Sequence, residues 1–273
     1  MTPEQKVQYE TQGFLHIRGA LESNLLTRLK TAFDTAAEKH GVANKLADIP
    51  RILDQDDVFV DIVDTPPVLS VLLDILGGDI QLLQTQARVF PPGKTFTAPW
   101  HSDLELVNGI DMTHSTNFMV KVHYYPEDLT PEQGCLAFIP GSHRYPAGMP
   151  RPDISPDLQH PTVVKVVPKA GDIVIFNVHL LHMALDNSSD RIRKSLIYAF
   201  SHFWVKNYPS AVPRDLERLA TTPERRQLFG IPVSTVEGSY FEQTLNRRKT
   251  RINELMSDGR KLLTTAKRAY LAT

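Results

Sequence analysis

The segment Pro99-Trp100-His101-Ser102-Asp103 sets an imidazole and a carboxylate two residues apart. On an extended strand, side chains two apart project from one face, so a single metal ion could take both. Pairs of this kind recur by chance, and this one needs a third ligand to carry meaning. Downstream, Ile173 to Phe176 leads into Asn177-Val178-His179-Leu180-Leu181-His182, which offers two histidines for that role, His179 and His182. Two imidazoles and one carboxylate on one face of an iron leave three coordination positions open, enough for a bidentate oxoacid and then dioxygen. Hydrolytic zinc uses the same ligand types. An oxoacid such as 2-oxoglutarate adds a demand of its own: its distal carboxylate needs a cation, best the planar fork of an arginine. Arg191 and Arg193 follow the polar run Asp186-Asn187-Ser188-Ser189-Asp190, a turn that can send the chain back along a neighbouring strand toward the metal.

The elements that must position these groups are legible in the periodicity. Thr2 to Gly13 reads as a short helix ending at glycine, followed by a brief strand at Phe14, Leu15 and Ile17. Leu25, Leu29, Ala32, Phe33 and Ala36 recur at helical spacing between Glu22 and His40, with Gly41 as the stop. Thr65-Pro66-Pro67 opens a second apolar helix that closes at Gly77-Gly78. Beyond Gly78 the texture turns to short β-rich runs: 80–90, 117–125, 136–139, 163–167, 172–176 and 195–200. Within the second of these, Phe118, Val120, Val122 and Tyr124 alternate with Asn117, Met119, Lys121 and His123, as a strand with two unlike faces requires. From Tyr208 the strands stop, and Asp215 to Leu219, Thr222 to Phe229 and Tyr240 to Leu271 read as charged helices.

Thirty basic residues against thirty-one acidic ones give a formal charge of −1, which supplies no field for nucleic acid or an anionic membrane surface. No apolar run approaches a membrane span, and the polar start, Met1 to Gln12, lacks a signal-peptide core, so a cytoplasmic location is expected. The single cysteine, Cys135, leaves no route to a multi-thiolate metal site within the chain. Any metal must therefore sit on histidine and carboxylate.

Phe90-Pro91-Pro92-Gly93 with Pro99 to Asp103, Gly134-Cys135-Leu136 with Ile139-Pro140-Gly141-Ser142-His143, and His182 with Asn187 and Arg193 together resemble the phytanoyl-CoA dioxygenase family of Fe(II)/2-oxoglutarate oxygenases, which includes ectoine hydroxylase. The resemblance spans most of residues 5–203. It implies a mainly β fold with flanking α: a double-stranded β-helix, or jelly-roll barrel, with buttressing helices and a helical C-terminal tail. The organisation expected is a single oxygenase domain over 1–273, with helical support at 1–79, the jelly-roll core at 80–204 and a helical extension at 205–273. It also implies that His101, Asp103 and His182 hold Fe(II), with His182 preferred to His179, that Arg193 anchors 2-oxoglutarate, and that Gln84 or Gln86, sharing a strand face with Arg88, touches the oxoacid. Halogenating relatives lack the carboxylate that Asp103 supplies. The activity implied is a dioxygenase reaction that hydroxylates or otherwise oxidises a small molecule with dioxygen, releasing succinate and CO2.

Two other functions use the same residues: a non-catalytic small-molecule-binding jelly roll, and a metal-dependent hydrolase, which would have no use for Arg193. Trp100 is expected to point away from the metal, alternating with His101. His143 reads as structural, and His114, His123 and His202 as members of polar networks. The loops 104–115 and 144–160 are the expected pocket lid, where Glu105, His114 and Arg144 could read a polar substrate. In the tail, Ile252, Leu255, Met256, Leu262 and Leu263 form a packing stripe that would also serve a homodimer.

Overall fold

The computed structural model describes residues 1–94, 100–103, 117–145 and 162–231. The expected helix at 240–271, its dimer contact, the loop 104–115 and residues 146–160 of the second loop lie outside the described residues.

Thr2 caps the first helix, α1 (Pro3–Gln12), through a reciprocal pair with Gln5, and Gly13 ends it in the left-handed region. Strand β1 (Phe14–Ile17) follows, then α2 (Ser23–Lys39), whose Leu29, Ala32, Phe33 and Ala36 form one buried stripe. A two-residue strand β2 (Ala47–Asp48) and a single-turn α3 (Val58–Asp61) precede α4 (Pro66–Leu76). The jelly-roll strands are β3 (Ile80–Phe90), β4 (Met119–Tyr124), β5 (Leu136–Phe138), β6 (Val164–Val166), β7 (Ile173–Asn177), β8 (His182–Ala184) and β9 (Arg193–His202). Two short helices, α5 (Leu216–Leu219) and α6 (Pro223–Leu228), finish the described chain. No helix among the described residues is long and apolar enough to cross a membrane.

The strands form two antiparallel sheets, a six-stranded one in the order β1-β7-β4-β9-β3-β2 and a three-stranded one in the order β6-β5-β8. Among the described residues the sheets stay open rather than closing edge to edge as a barrel. The larger sheet divides the molecule. One face carries Val120, Val122, Tyr124, Leu196, Tyr198 and Phe200 into a core shared with α2, α4 and the α5–α6 region. Two buried tyrosines fasten that layer: Tyr198 donates to the Phe59 carbonyl at 2.8 Å and Tyr124 to the Ile62 carbonyl at 3.1 Å. The other face lines the inside of the jelly roll, the lumen, where Val174 and Phe176 pack against Leu136, Phe138 and Ala184 of the smaller sheet.

One buried side chain fixes the crossing between sheets. Asn187, 1% exposed, donates to the carbonyls of Phe90 (3.0 Å) and Arg191 (2.7 Å) and accepts from the Ser189 hydroxyl (2.6 Å). Its own main chain pairs with Lys94 and Gly93. The turn from β8 to β9 is thereby pinned to the end of β3, and β9 must begin at Arg193. We expect Asn187→Ala, which removes the amide's bonds to the buried Phe90 carbonyl and to the Arg191 carbonyl, to cost about 1–3 kcal/mol of stability. The urea unfolding midpoint checks this, and a loss under about 1 kcal/mol would assign the turn to other contacts.

Candidate metal centre

The segment 100–103 lies along the free side of β8. His101 and His182 exchange main-chain hydrogen bonds, N–H to carbonyl at 3.1 and 2.9 Å, and the Asp103 N–H donates to the Val178 carbonyl at 2.9 Å. These bonds bring the two imidazoles and the carboxylate together: one donor atom from each of His101, Asp103 and His182 lies within 4.8 Å of the others, and all three residues are buried. The rings of His101 and His182 stand 4.4 Å apart, and His182 Nε2 is 3.7 Å from Asp103 Oδ2. His179, three residues before His182, stays outside this cluster; its N–H donates to Asn177 Oδ1 at 2.9 Å. Trp100 points the other way, into an apolar cluster with Cys135, Ala137 and Met183 behind the smaller sheet.

The turn Pro140-Gly141-Ser142-His143 supports β8 from behind. Ser142 Oγ accepts from the Leu181 N–H at 2.8 Å, and the Ile139 N–H donates to the Leu181 carbonyl at 3.0 Å. His182 is therefore held at its backbone on both sides. Its ring is fixed too: Nδ1 meets the Leu180 carbonyl at 2.9 Å, which makes Nδ1 the donor and leaves the Nε2 lone pair facing the cluster. Burial pushes His182 down to about 4, outweighing the Asp103 carboxylate beside it, which works the other way, so the ring is neutral at ordinary pH. Burial works against the charge of Asp103, but Lys121 and the two histidines hold its carboxyl below the usual range. Asp103 Oδ2 is buried without a hydrogen-bond partner, whereas Oδ1 receives Lys121 Nζ at 2.5 Å. Two imidazoles and a carboxylate with an unused oxygen suit a divalent first-row cation.

The lumen face of the larger sheet can be read by register. Gln84, Ala199, Lys121 and Phe176 form one cross-strand row, Gln86, Ile197, His123 and Val174 the next, then Arg88 with Ser195, and finally Phe90 with Arg193. Arg193, 5% exposed, lies over the Phe90 ring at 4.8 Å and donates through Nη1 to the Gly134 carbonyl. Gly134 is obligatory there: its φ is +76°, and a Cβ would stand 2.7 Å from the Leu185 carbonyl oxygen. Burial lowers Arg193 to about 10, leaving it charged, yet among the described residues no carboxylate pairs with it. Among the described residues its Nε and the hydroxyl of Ser195 are both buried without partners. Arg191, the competing arginine, is exposed on the turn.

Sequence reasoning did not single out Ser195 or Lys121. Both were accessible to period-two reading, Ser195 as the same-face neighbour of Arg193 and Lys121 as the polar face of β4, but the partner of Lys121, Asp103, is not local. Arg88 is clamped by Asp48 at 2.8 and 2.9 Å, and the Gln86 amide donates to the same carboxylate at 3.2 Å. Gln84 sits in the row of Lys121.

A jelly roll with two histidines and an aspartate converging at the lumen is the scaffold of the non-haem iron oxygenases. The sequence model described as phytanoyl-CoA dioxygenase (PhyH) matches residues 9–195, and the chain belongs to that family. The family is one of Fe(II)- and 2-oxoglutarate-dependent oxygenases. The chain is 24% identical to dioxygenase af480 of Aspergillus fumigatus, covering 64% of this chain and 56% of that one. It is also 24% identical to the peroxisomal phytanoyl-CoA dioxygenase of Rattus norvegicus, covering 71% and 66%. The chain thus spans less than two thirds of the length of these two relatives. Among solved structures, HygX from Streptomyces hygroscopicus with nickel and 2-oxoglutarate bound shares the fold, with a TM-score of 0.64, 19% identity and coverage of 79% and 94%.

The neutral His182 gives a pH prediction for the metal-free protein. Its folded value of about 4 lies below the ordinary 6.5, so its contribution to stability is whole above pH 6.5 and is lost as pH falls toward 4. With a chelator present, the urea midpoint should drop between pH 7 and pH 5, and His182→Gln should flatten that drop. An equal slope in the variant would mean that other groups take up the protons.

Proposed function

We propose that this protein oxidises a small molecule with dioxygen, using Fe(II) held by His101, Asp103 and His182 and 2-oxoglutarate held by Arg193, with release of succinate and CO2. The observation that carries the reading is a pair of incomplete polar sites in one lumen. At one end, three metal-type ligands converge with an unused carboxylate oxygen; at the other, a buried guanidinium has no carboxylate partner among the described residues. A dicarboxylic oxoacid spanning the two would satisfy both, and neither a hydrolase nor a passive binding jelly roll needs the second.

Within this reading each residue has a distinct task. His182 enters as a neutral ligand through Nε2, because Nδ1 is committed to Leu180. Arg193 supplies its fork to the distal carboxylate, with Ser195 Oγ beside it as a further donor. Gln84 is better placed than Gln86 to touch the oxoacid, since the Gln86 amide is engaged by Asp48. When bound, the iron and oxoacid supply the oxidising chemistry; the protein's work is to orient them and exclude water. Leu83, Met119, Val178 and Ala199 form an apolar patch next to Lys121 and Asp103, which suits an amphiphilic substrate. The whole of 1–273 is read as one oxygenase unit, because Leu219, Ala220, Leu228 and Phe229 join the core that the N-terminal helices share with the jelly roll.

The test is succinate release from anaerobically iron-loaded protein given 2-oxoglutarate and then air, across a panel of small metabolites. Turnover should vanish in His101→Ala. Arg193→Ala should raise the 2-oxoglutarate requirement about 10- to 100-fold, the worth of a lost charge-assisted pair, with metal affinity nearly unchanged. An unaltered requirement would move the anchor away from Arg193.

A further inference from the structure

Lys121 occupies a place where a strand inside a jelly roll ordinarily carries an apolar residue. It sits near the middle of β4, a strand hydrogen-bonded on both sides, opposite Ala199 on β9 and Phe176 on β7. Its side chain is 14% exposed and that of Asp103 only 6%. Lysine is rarely buried unless paired, and an apolar residue of similar volume would be the cheaper way to fill the position. The partner of this lysine is one oxygen of the candidate metal ligand: Nζ lies 2.5 Å from Asp103 Oδ1.

Asp103 needs such a partner for a geometric reason. Its backbone is fixed by the bond to Val178, but rotation about the terminal bond of a carboxylate interchanges two equivalent oxygens. Both could then approach a cation, and a carboxylate that chelates through both oxygens takes one more coordination position than one that binds through a single oxygen. A facial site of two histidines and one carboxylate has three positions to spare, and an oxoacid with dioxygen needs all of them. We propose that Lys121 is a positioning residue that holds Asp103 to one-oxygen coordination: by occupying Oδ1 it leaves Oδ2, the oxygen that faces His182, as the only one offered to the metal. The inference rests on reading His101, Asp103 and His182 as metal ligands. Lys121 acts through Asp103; it is neither a ligand nor a proton carrier.

The number of waters on a bound metal reports this directly. Mn(II) is added to the metal-free protein without oxoacid, and the water-proton relaxation it produces is measured. The wild type should show three exchangeable waters. Lys121→Met, which keeps length and loses the donor, should show two, a fall of about a third. Lys121→Arg, which keeps donor and charge, should restore the signal. The same Lys121→Met protein should bind 2-oxoglutarate about ten-fold more weakly while holding Mn(II) at least as tightly, a split that general loosening of the fold would not produce. Should Lys121→Met not fold, Lys121→Gln, whose amide falls short of Oδ1, is read in the same way. Wild-type relaxation in the Met or Gln variant, or weakened oxoacid binding with unchanged water count, overturns the proposal and would make Lys121 a contact for oxoacid or substrate. Mn(II) binding that is absent in the wild type, or undiminished in His101→Ala, overturns the ligand assignment and the proposal with it.

Discussion

Two hydrogen bonds exchanged between the main chains of His101 and His182 hold together a site whose parts come from distant stretches of sequence. Without them the segment 100–103 would have no sheet to lie on, and the His-X-Asp pair would be an ordinary feature of a turn. With them, the segment extends the smaller sheet past β8, and the alternation of strand side chains does the rest. His101 and Asp103 turn toward the lumen while Trp100 turns into the apolar layer behind. The neighbouring constraints serve the same junction: the Ser142 turn holds Leu181, Leu180 orients the His182 ring, and Asn187 ties the following turn to the end of β3.

The molecule separates the groups that stabilise it from those it keeps for ligands. The face of the larger sheet packed on α2 and α4 is apolar, and its tyrosine hydroxyls are satisfied. The lumen face carries the liabilities: among the described residues, a buried guanidinium without a carboxylate, and a serine hydroxyl and an aspartate oxygen without partners. Each carries a desolvation cost, because a buried polar group is stabilised only by a partner it can reach. Their placement along one lumen, Arg193 and Ser195 at one end and Asp103 beside Lys121 toward the other, is what a dicarboxylic ligand lying on a metal would compensate.

Much of this was legible in the sequence because it is local. Period-two alternation in 117–125 and helical spacing in 22–40 located β4 and α2, and the caps at Thr2 and Gly13 bounded α1. The pairing of His101 with Asp103 needed no more than strand geometry. Distance from the His-X-Asp pair left both His179 and His182 open, and the family resemblance, through the spacing of His182 to Asn187 and Arg193, chose His182; the register of 100–103 against β8 puts His182 at the cluster. Non-local partners were invisible for the same reason. The Lys121 bond to Asp103 and the clamp of Asp48 on Arg88 and Gln86 each join elements with no shared sequence signal, and β2, only two residues long, has no period to detect. Whether the sheets close as a barrel is likewise a matter of edges meeting in space.

Under the proposed function, metal and oxoacid share one lumen, each completing part of the other's site. Anaerobic calorimetric titration of 2-oxoglutarate into Fe(II)-loaded and chelator-treated protein tests it most directly. The account predicts one-to-one binding to the iron-loaded protein and an affinity about a hundred-fold weaker, or lost, without metal, because only the Arg193 end then remains. Binding of equal strength in both preparations would contradict it.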